Sequence, residues 1–463
     1  MPPAAAKPAA VPLRAPSVVV RVRPLASEGG HSASGQPVYK RLAKWDDGVI
    51  VLEDGVTGLG TESGNKSSGR PQEYRFAKEI LGTDAKQEGV YEASASALVR
   101  SFVRDGFDAL LFAYGQTGTG KTHTIFGPEA SWGDVRHEDA GIFPRAIVSV
   151  LEDLEARSAT TAFVLTASAM EFYMCQCTDL MDGNTLCQIG DDHAPLGLSS
   201  TPIARAEDAV SFMATVRQNR TSRATLMNQA GKGHAGSSRS HCALLLTLRH
   251  LDKASGSCRK TTLSIMDMAG AERPGKAGYD EGDAHREGML AVMAYWKNPT
   301  AEVTVGGQGF IVNYELSGLR TAVVVATEQH RKRKPLTTIK SLGTSFVEYA
   351  SGCFSGTAML GMIVTLSPAP SCGWETWFSC TYGEDLSKLR APVTPRPARN
   401  LAKAVFAAAA TAAKSAAELE KTPRSGPASK YLPRRTAQAR HDARELELWG
   451  QLQAMAPKEQ REA

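Results

Sequence analysis

The densest chemistry in this chain of 463 residues lies at Gly115-Gln116-Thr117-Gly118-Thr119-Gly120-Lys121-Thr122, which fits the pattern G-x-x-x-x-G-K-[ST] without a mismatch. Glycines let main-chain N–H groups wrap a phosphate, and a helix starting just after them points its positive end at the anion. Lys121 can reach the β- and γ-phosphates of a nucleotide, and the Thr122 hydroxyl can bind Mg²⁺. Two further segments fit such a site. In Asp267-Met-Ala-Gly270-Ala-Glu272, the aspartate can hold Mg²⁺ through water and the Gly270 N–H can sense a γ-phosphate. Gly236-Ser237-Ser238-Arg239-Ser240-His241 offers hydroxyls for Mg²⁺ and water, and an arginine able to pair with a carboxylate. Either segment alone is commonplace; behind a phosphate loop, in this order, they form a constellation.

Such residues need strands to carry them. Asp108 to Tyr114 is a compact apolar run that predicts a buried central strand feeding the glycine-rich turn. Ser17 to Pro24 reads as a strand ended by proline, and residues 26–72 as loops with a small hairpin. Phe163–Glu171, Cys242–Leu248, Thr262–Asp267 and Ala358–Leu366 are further buried strands; Glu88–Val103, Arg205–Arg220 and Gly318–Thr327 have helical spacing. The alternation predicts an α/β, three-layer P-loop NTPase-type domain, with a central, mostly parallel β-sheet flanked by helices.

The composition is globular, with 42% hydrophobic and 22% charged residues, which excludes collagen, a wholly disordered chain or a small disulfide scaffold. Eight cysteines without a Cys-x-x-Cys pair argue against a zinc ribbon and for reduced thiols. No apolar run is long enough for a bilayer. Residues 1–16, rich in Ala and Pro without a continuous apolar stretch, read as a disordered leader rather than a secretory signal. The net charge of +5 is uneven, with 13 basic and 7 acidic residues from Ala391 onward. There Pro392, Pro395 and Pro397 break regular structure. An alanine-rich helix is expected over Asn400–Glu420, a linker over Thr422–Pro433 and a charged helix over Arg434–Met455. The last has one apolar stripe, Leu446, Leu448, Trp449 and Leu452, too short for a coiled coil, so a monomer is favoured. The basic tail, 390–463, reads as a solvated segment or as an electrostatic tether to an acidic partner.

Gly106-Phe-Asp-Ala-Leu-Leu-Phe-Ala-Tyr-Gly-Gln-Thr-Gly-Thr-Gly-Lys-Thr-His-Thr124 resembles the phosphate-loop signature of the kinesin motor domain almost residue for residue. Arg21-Val-Arg23-Pro24, Gly141-Ile-Phe-Pro-Arg145, Ser237 to His241 and Asp267 to Glu272 are similar to other motifs of that family, and Asn313-x-x-Leu316 and Glu375-Thr376 are fainter echoes. The resemblance covers residues 17–389. It implies ATP and Mg²⁺ as cofactors, with adenine near Arg21, Pro24 and His123. It also implies Ser238 near Mg²⁺, Ser237 near the attacking water, and an ion pair between Arg239 and Glu272 that positions that water. Microtubules are the implied partner, and the cytoplasm and microtubule cytoskeleton the implied location.

The chain departs from the family's pattern in four places. His234 stands where an asparagine is usual, and an insertion runs from about Tyr279 to Gly309. The filament-binding run keeps only Pro335 and Lys340. Ahead of it, Arg331, Lys332, Arg333 and Lys334 suit the acidic surface of tubulin. The prolines after residue 390 cannot donate ladder hydrogen bonds, so linker docking should be impaired or differently built. Three functions follow: a microtubule-stimulated motor ATPase, a non-motile or weakly active microtubule-binding protein, and a nucleotide switch whose tail binds nucleic acid. The third is disfavoured because Phe406, Tyr431 and Trp449 are too widely spaced to stack successive bases.

Overall fold

The computed structural model describes residues 11–24, 40–54, 71–228, 239–271, 305–334, 344–369 and 372–461, with a few isolated positions between 290 and 303. The chain opens with β1 (Ser17–Val22), then a small antiparallel sheet of β2 (Lys40–Asp46), β3 (Val49–Asp54) and β4 (Gln72–Tyr74), then β5 (Glu79–Leu81). Helix α1 (Gln87–Ser94) leads toward β6 (Asp108–Tyr114), all seven of whose residues are buried. The phosphate loop joins β6 to α2 (Lys121–Phe126), and α3 (Ile142–Ala156) follows. Next come β7 (Thr161–Tyr173), β8 (Gln176–Asp179), β9 (Thr185–Ile189), β10 (Pro195–Leu196), β11 (Thr201–Pro202) and α4 (Ala206–Asn228). The hairpin β12 (His241–Asp252) and β13 (Ser257–Asp267) precedes α5 (Val305–Arg331), α6 (Ser345–Cys353), β14 (Ala358–Leu366) and α7 (Gly373–Ser387). Then come β15 (Arg399–Asn400), α8 (Leu401–Glu420) and α9 (Leu432–Ala454), followed by a short helix over Lys458–Arg461.

Among the described residues twelve strands form one sheet, ordered β10-β9-β8-β7-β12-β13-β6-β14-β1-β5, with β11 on β7 and β15 on β13. The expected parallel pairing holds from β13 through β6, β14 and β1 to β5. The other half is antiparallel, so the sheet is mixed. The cause is connection length: β12 and β13 are joined by a short turn, which only an antiparallel pair can use.

Alternation along each strand sends side chains to two cores. Leu111, Ala113, Leu165 and Leu244 pack under α1, α2, α3 and α4. Leu110, Phe112, Met170 and Leu245 pack under α5, α6 and α7. This is the three-layer arrangement expected from the sequence. Among the described residues no helix is long and apolar enough to cross a membrane, and no disulfide joins the eight cysteines.

The C-terminal segment departs from the solvated reading. Asn400 caps α8 by accepting the Lys403 N–H at 3.2 Å, and α9 folds back against it. Leu401, Ala404, Leu448, Trp449 and Leu452 then pack on Ala162, Val164 and Leu251 of the sheet. Composition missed this because the large apolar side chains of these helices are few, yet they converge on one patch. The prolines do not keep the preceding segment off the core either. Ala391 exchanges both main-chain bonds with Arg14, at 2.8 and 3.1 Å, and the Arg396 N–H donates to the Gly106 carbonyl at 2.7 Å. The contacts fall on Ala391, just before the prolines, and on Arg396, between two of them, which is how the segment is differently built.

Candidate functional site

The phosphate loop is shaped by steric demands on its glycines. A Cβ at Gly115 would meet the Thr365 carbonyl at 2.4 Å, so only glycine lets the loop lie this close to β14. Gly120 has φ +95 with open space around it, so its requirement is conformational. Thr119 Oγ1 donates to the Gln116 carbonyl at 2.8 Å and lies 2.7 Å from Thr365 Oγ1, bracing the loop from beneath. Thr117 and Gly118 form its exposed crest. Lys121, 7% exposed, donates to the carbonyls of Gly115 and Gln116 at 2.9 and 2.7 Å. Its ammonium is thus held inside the loop.

Thr122 Oγ1 donates to Asp267 Oδ2 at 2.9 Å, across the sheet from the end of β13. Asp267 is 1% exposed, and its Oδ1 has no hydrogen-bond partner among the described residues. A hydroxyl beside a carboxylate with a spare buried oxygen suits Mg²⁺, which takes one or two protein oxygens and completes its shell from phosphate and water. Among the described residues no cluster of three or more His, Cys, Asp or Glu could hold a metal by itself. The residues present fit an ion that takes one hydroxyl and one carboxylate from the protein.

Sequence reasoning missed the partners of this aspartate. Arg220, from α4, donates to Asp267 Oδ2 at 3.2 Å and lies 3.6 Å from Glu171 Oε1. Burial opposes the guanidinium's charge, but Cys242, Asp267 and Glu171 more than offset it and raise its pKa above the ordinary value. Ser240 Oγ donates to the same Glu171 oxygen at 2.7 Å. Arg220 did end a segment read as helical, but nothing local marked it. Arg239 is buried at 8% exposure and Gly270 is buried; Ala271, just beyond, donates its N–H to the Gly115 carbonyl at 3.2 Å. Ser237, Ser238 and Glu272 lie outside the described residues, and so does the expected Arg239–Glu272 pair.

Arg21 donates to Gln87 Oε1 and to Thr124 Oγ1, both at 2.9 Å, while Gln87 donates to the His123 carbonyl at 2.7 Å. Burial lowers the Arg21 pKa to about 10. Burial, then Arg21, lowers that of His123 and favours a neutral imidazole. Arg23 donates to the Gly118 carbonyl, tying β1 to the loop crest, and Pro24 is exposed beside it. Gln87 was not legible in the sequence; it lies one residue before the segment read as helical.

Arg331, Lys332, Arg333 and Lys334 are exposed at the C-terminal end of α5, where the helix dipole favours cations. Glu328 pairs with Arg331 and Lys332 at 2.8 and 2.6 Å. Arg333 and Lys334 have no ion pair among the described residues. Lys340 and the remainder of the expected filament-binding run lie outside them.

The comparisons with known proteins agree with this geometry. The family model for the kinesin motor domain matches residues 21–291, more than half of the chain. The kinesin-like protein Klp61F of Drosophila melanogaster is 32% identical over 222 residues, 44% of this chain and 20% of that protein. The kinesin-like protein KIN-14H of Arabidopsis thaliana is 31% identical over 200 residues, 43% of this chain and 18% of that protein. The chain thus spans a fifth or less of the length of these two relatives. The structure of a fast kinesin superposes with a TM-score of 0.62 at 19% identity, covering 83% of this chain and 94% of the other. The motor domain of the Kar3-like kinesin from Ashbya gossypii does so with a TM-score of 0.55 at 18% identity, over 81% and 99%. With the phosphate loop, the Thr122–Asp267 contact and the three-layer fold in place, the chain belongs to the kinesin motor domain family.

Proposed function

We propose that the chain is a microtubule-stimulated ATPase. The observation that carries this reading is the Thr122–Asp267 contact at 2.9 Å beside a loop that already holds the Lys121 ammonium. Phosphoryl transfer asks a protein for positioning and charge stabilisation rather than covalent chemistry. Lys121 would draw the terminal phosphates into the loop, and Gly270 would present its N–H to the γ-phosphate. Thr122, Asp267 and Ser238 would hold Mg²⁺, which when bound neutralises charge on the phosphate oxygens. Ser237 would hold the attacking water, and Arg239 with Glu272 would close over it. Arg21, Pro24 and His123 would flank the adenine. The cations Arg331, Lys332, Arg333, Lys334 and Lys340 would meet the acidic filament, placing the protein on cytoplasmic microtubules.

A second reading has its own observation. The segment after Leu389 is held to the core by Arg14, Gly106 and β13, and α8 and α9 then pack on the sheet. A linker so anchored favours a protein that hydrolyses ATP or binds filaments without stepping. The deciding experiment is steady-state ATP hydrolysis with and without polymerised tubulin, on the whole chain and on Lys121→Ala. Stimulation that the substitution abolishes supports the ATPase; hydrolysis indifferent to microtubules refutes the coupling. Surface gliding then separates the two readings, since directed movement excludes the second.

A further inference from the structure

Between the phosphate side of the sheet and the helix that carries the basic cluster lies a buried polar couple that no step above uses. His241 opens β12 and is 0% exposed; Glu315 lies on α5 at 1%. Glu315 sits on the apolar face of α5, beside Val312, Leu316 and Leu319, where a carboxylate is costly. Its Oε2 lies 3.5 Å from His241 Nε2, close enough for an ion pair but not aligned as a hydrogen bond, and neither Nε2 nor Oε1 has a hydrogen-bond partner among the described residues. The imidazole lies flat on Phe346 of α6, with centroids 3.9 Å apart and planes 9° from parallel. Its Nδ1 accepts the Ala269 N–H at 3.2 Å.

The proton inventory follows from that last contact. An N–H donor faces Nδ1, so Nδ1 carries the lone pair and the ring proton is on Nε2, facing Glu315. We propose that Glu315 is a positioning residue: it fixes the His241 tautomer, so that Nδ1 holds the Ala269 amide and ties the backbone between Asp267 and Gly270 to α5. Ala269 lies between the residue proposed to hold Mg²⁺ and the one proposed to sense the γ-phosphate. Glu315 lies 16 positions before Arg331, roughly 24 Å along the helix. The couple therefore joins the two ends of the proposed coupling through one side-chain contact. Stability alone gives little reason for it, since a carboxylate buried beside a neutral imidazole costs more than an apolar residue in its place. The catalytic half of this inference rests on the ATPase reading; the tautomer does not.

The test uses the whole chain with ¹⁵N-labelled histidine, unsubstituted and as Glu315→Leu and Glu315→Gln. Side-chain NMR should show His241 protonated on Nε2, with that signature lost in Glu315→Leu and kept in Glu315→Gln, whose carbonyl still accepts. In steady-state assays Glu315→Leu should lower microtubule-stimulated kcat about tenfold with KM for ATP within about threefold, and Glu315→Gln should recover most of the loss. An Nδ1-protonated His241 in the unsubstituted chain, or a spectrum unchanged in Glu315→Leu, overturns the pair. Equal kcat in all three proteins overturns its role in coupling. An unsubstituted chain that hydrolyses no ATP refutes the ATPase reading, and the spectra still decide the pair.

Discussion

Replacing Glu445 by alanine strips the carboxylate from a cluster that docks α9 on the sheet. Glu445 pairs with Arg249, whose side chain is 1% exposed, and with Lys260 at 2.7 Å. Burial alone would raise the pKa of Glu445, but Lys260 and Arg249 outweigh it and hold the carboxyl at about 2 instead of its ordinary 4.5. That difference is worth roughly 3 kcal/mol in favour of the ionised form. Burial pulls the pKa values of Arg249 and Lys260 down, so the intact cluster stabilises the fold by less than this. The substitution still costs about 3 kcal/mol, because it leaves a buried guanidinium whose Nε and Nη1 already have no partner among the described residues. Leu448, Trp449 and Leu452 remain to hold the helix, each contributing about 1.5–3 kcal/mol of burial. The helix should stay docked while its opening becomes on the order of a hundredfold more frequent. Hydrogen exchange read by mass spectrometry should show that acceleration in α8 and α9 and none in β6 or β14. In the unsubstituted chain the same contribution should be complete above the ordinary carboxyl pKa of 4.5 and disappear as pH falls from there through about 2. Exchange in α9 that changes less than about threefold, or rises equally everywhere, would refute the reasoning.

Two further outcomes test the nucleotide site. Gly115→Ala should abolish nucleotide binding and lower stability by about 1–3 kcal/mol, because the added carbon meets the Thr365 carbonyl at 2.4 Å; calorimetric titration with ATP and a thermal melt check both. Arg220→Met should destabilise by about 3–5 kcal/mol, since Asp267 and Glu171 then face each other without their cation, and added MgATP should recover part of the melting temperature.

What the sequence revealed and what it concealed divide along the chain's local and distant relations. The phosphate loop was legible because eight consecutive residues state its chemistry, and β6 because all seven of its residues are buried. Asp267 could be read because it ends an apolar strand. Its companion Arg220 could not, because 47 positions separate them and an arginine ending a helical segment is ordinary. The docking of α9 was hidden for the same reason: the stripe Leu448, Trp449 and Leu452 was visible, but Arg249, the cation that meets its carboxylate, lies 196 positions away. For the linker, the proline rule left impaired docking and a different build open, and the contacts take the second course. Proline donates no ladder bond, yet Ala391 and Arg396 supply the contacts.

The centre of the sheet also bears on how the chain can be made. β6 lies between β13 and β14, and β14 in turn receives β1, so Ser17 pairs with Gly361 and Val22 with Leu366. During synthesis the first strand must wait through some 340 residues for β14, although its other neighbour, β5, follows soon after it. Until Thr365 has emerged, the loop at Gly115 lacks the floor that shapes it, and the apolar edge of β6 lies open to wrong partners. A nascent chain that has already made its glycine-rich loop is therefore expected to be unable to grip a nucleotide. The ability arrives late and all at once, and slow, chaperone-dependent maturation is the expected companion of this strand order.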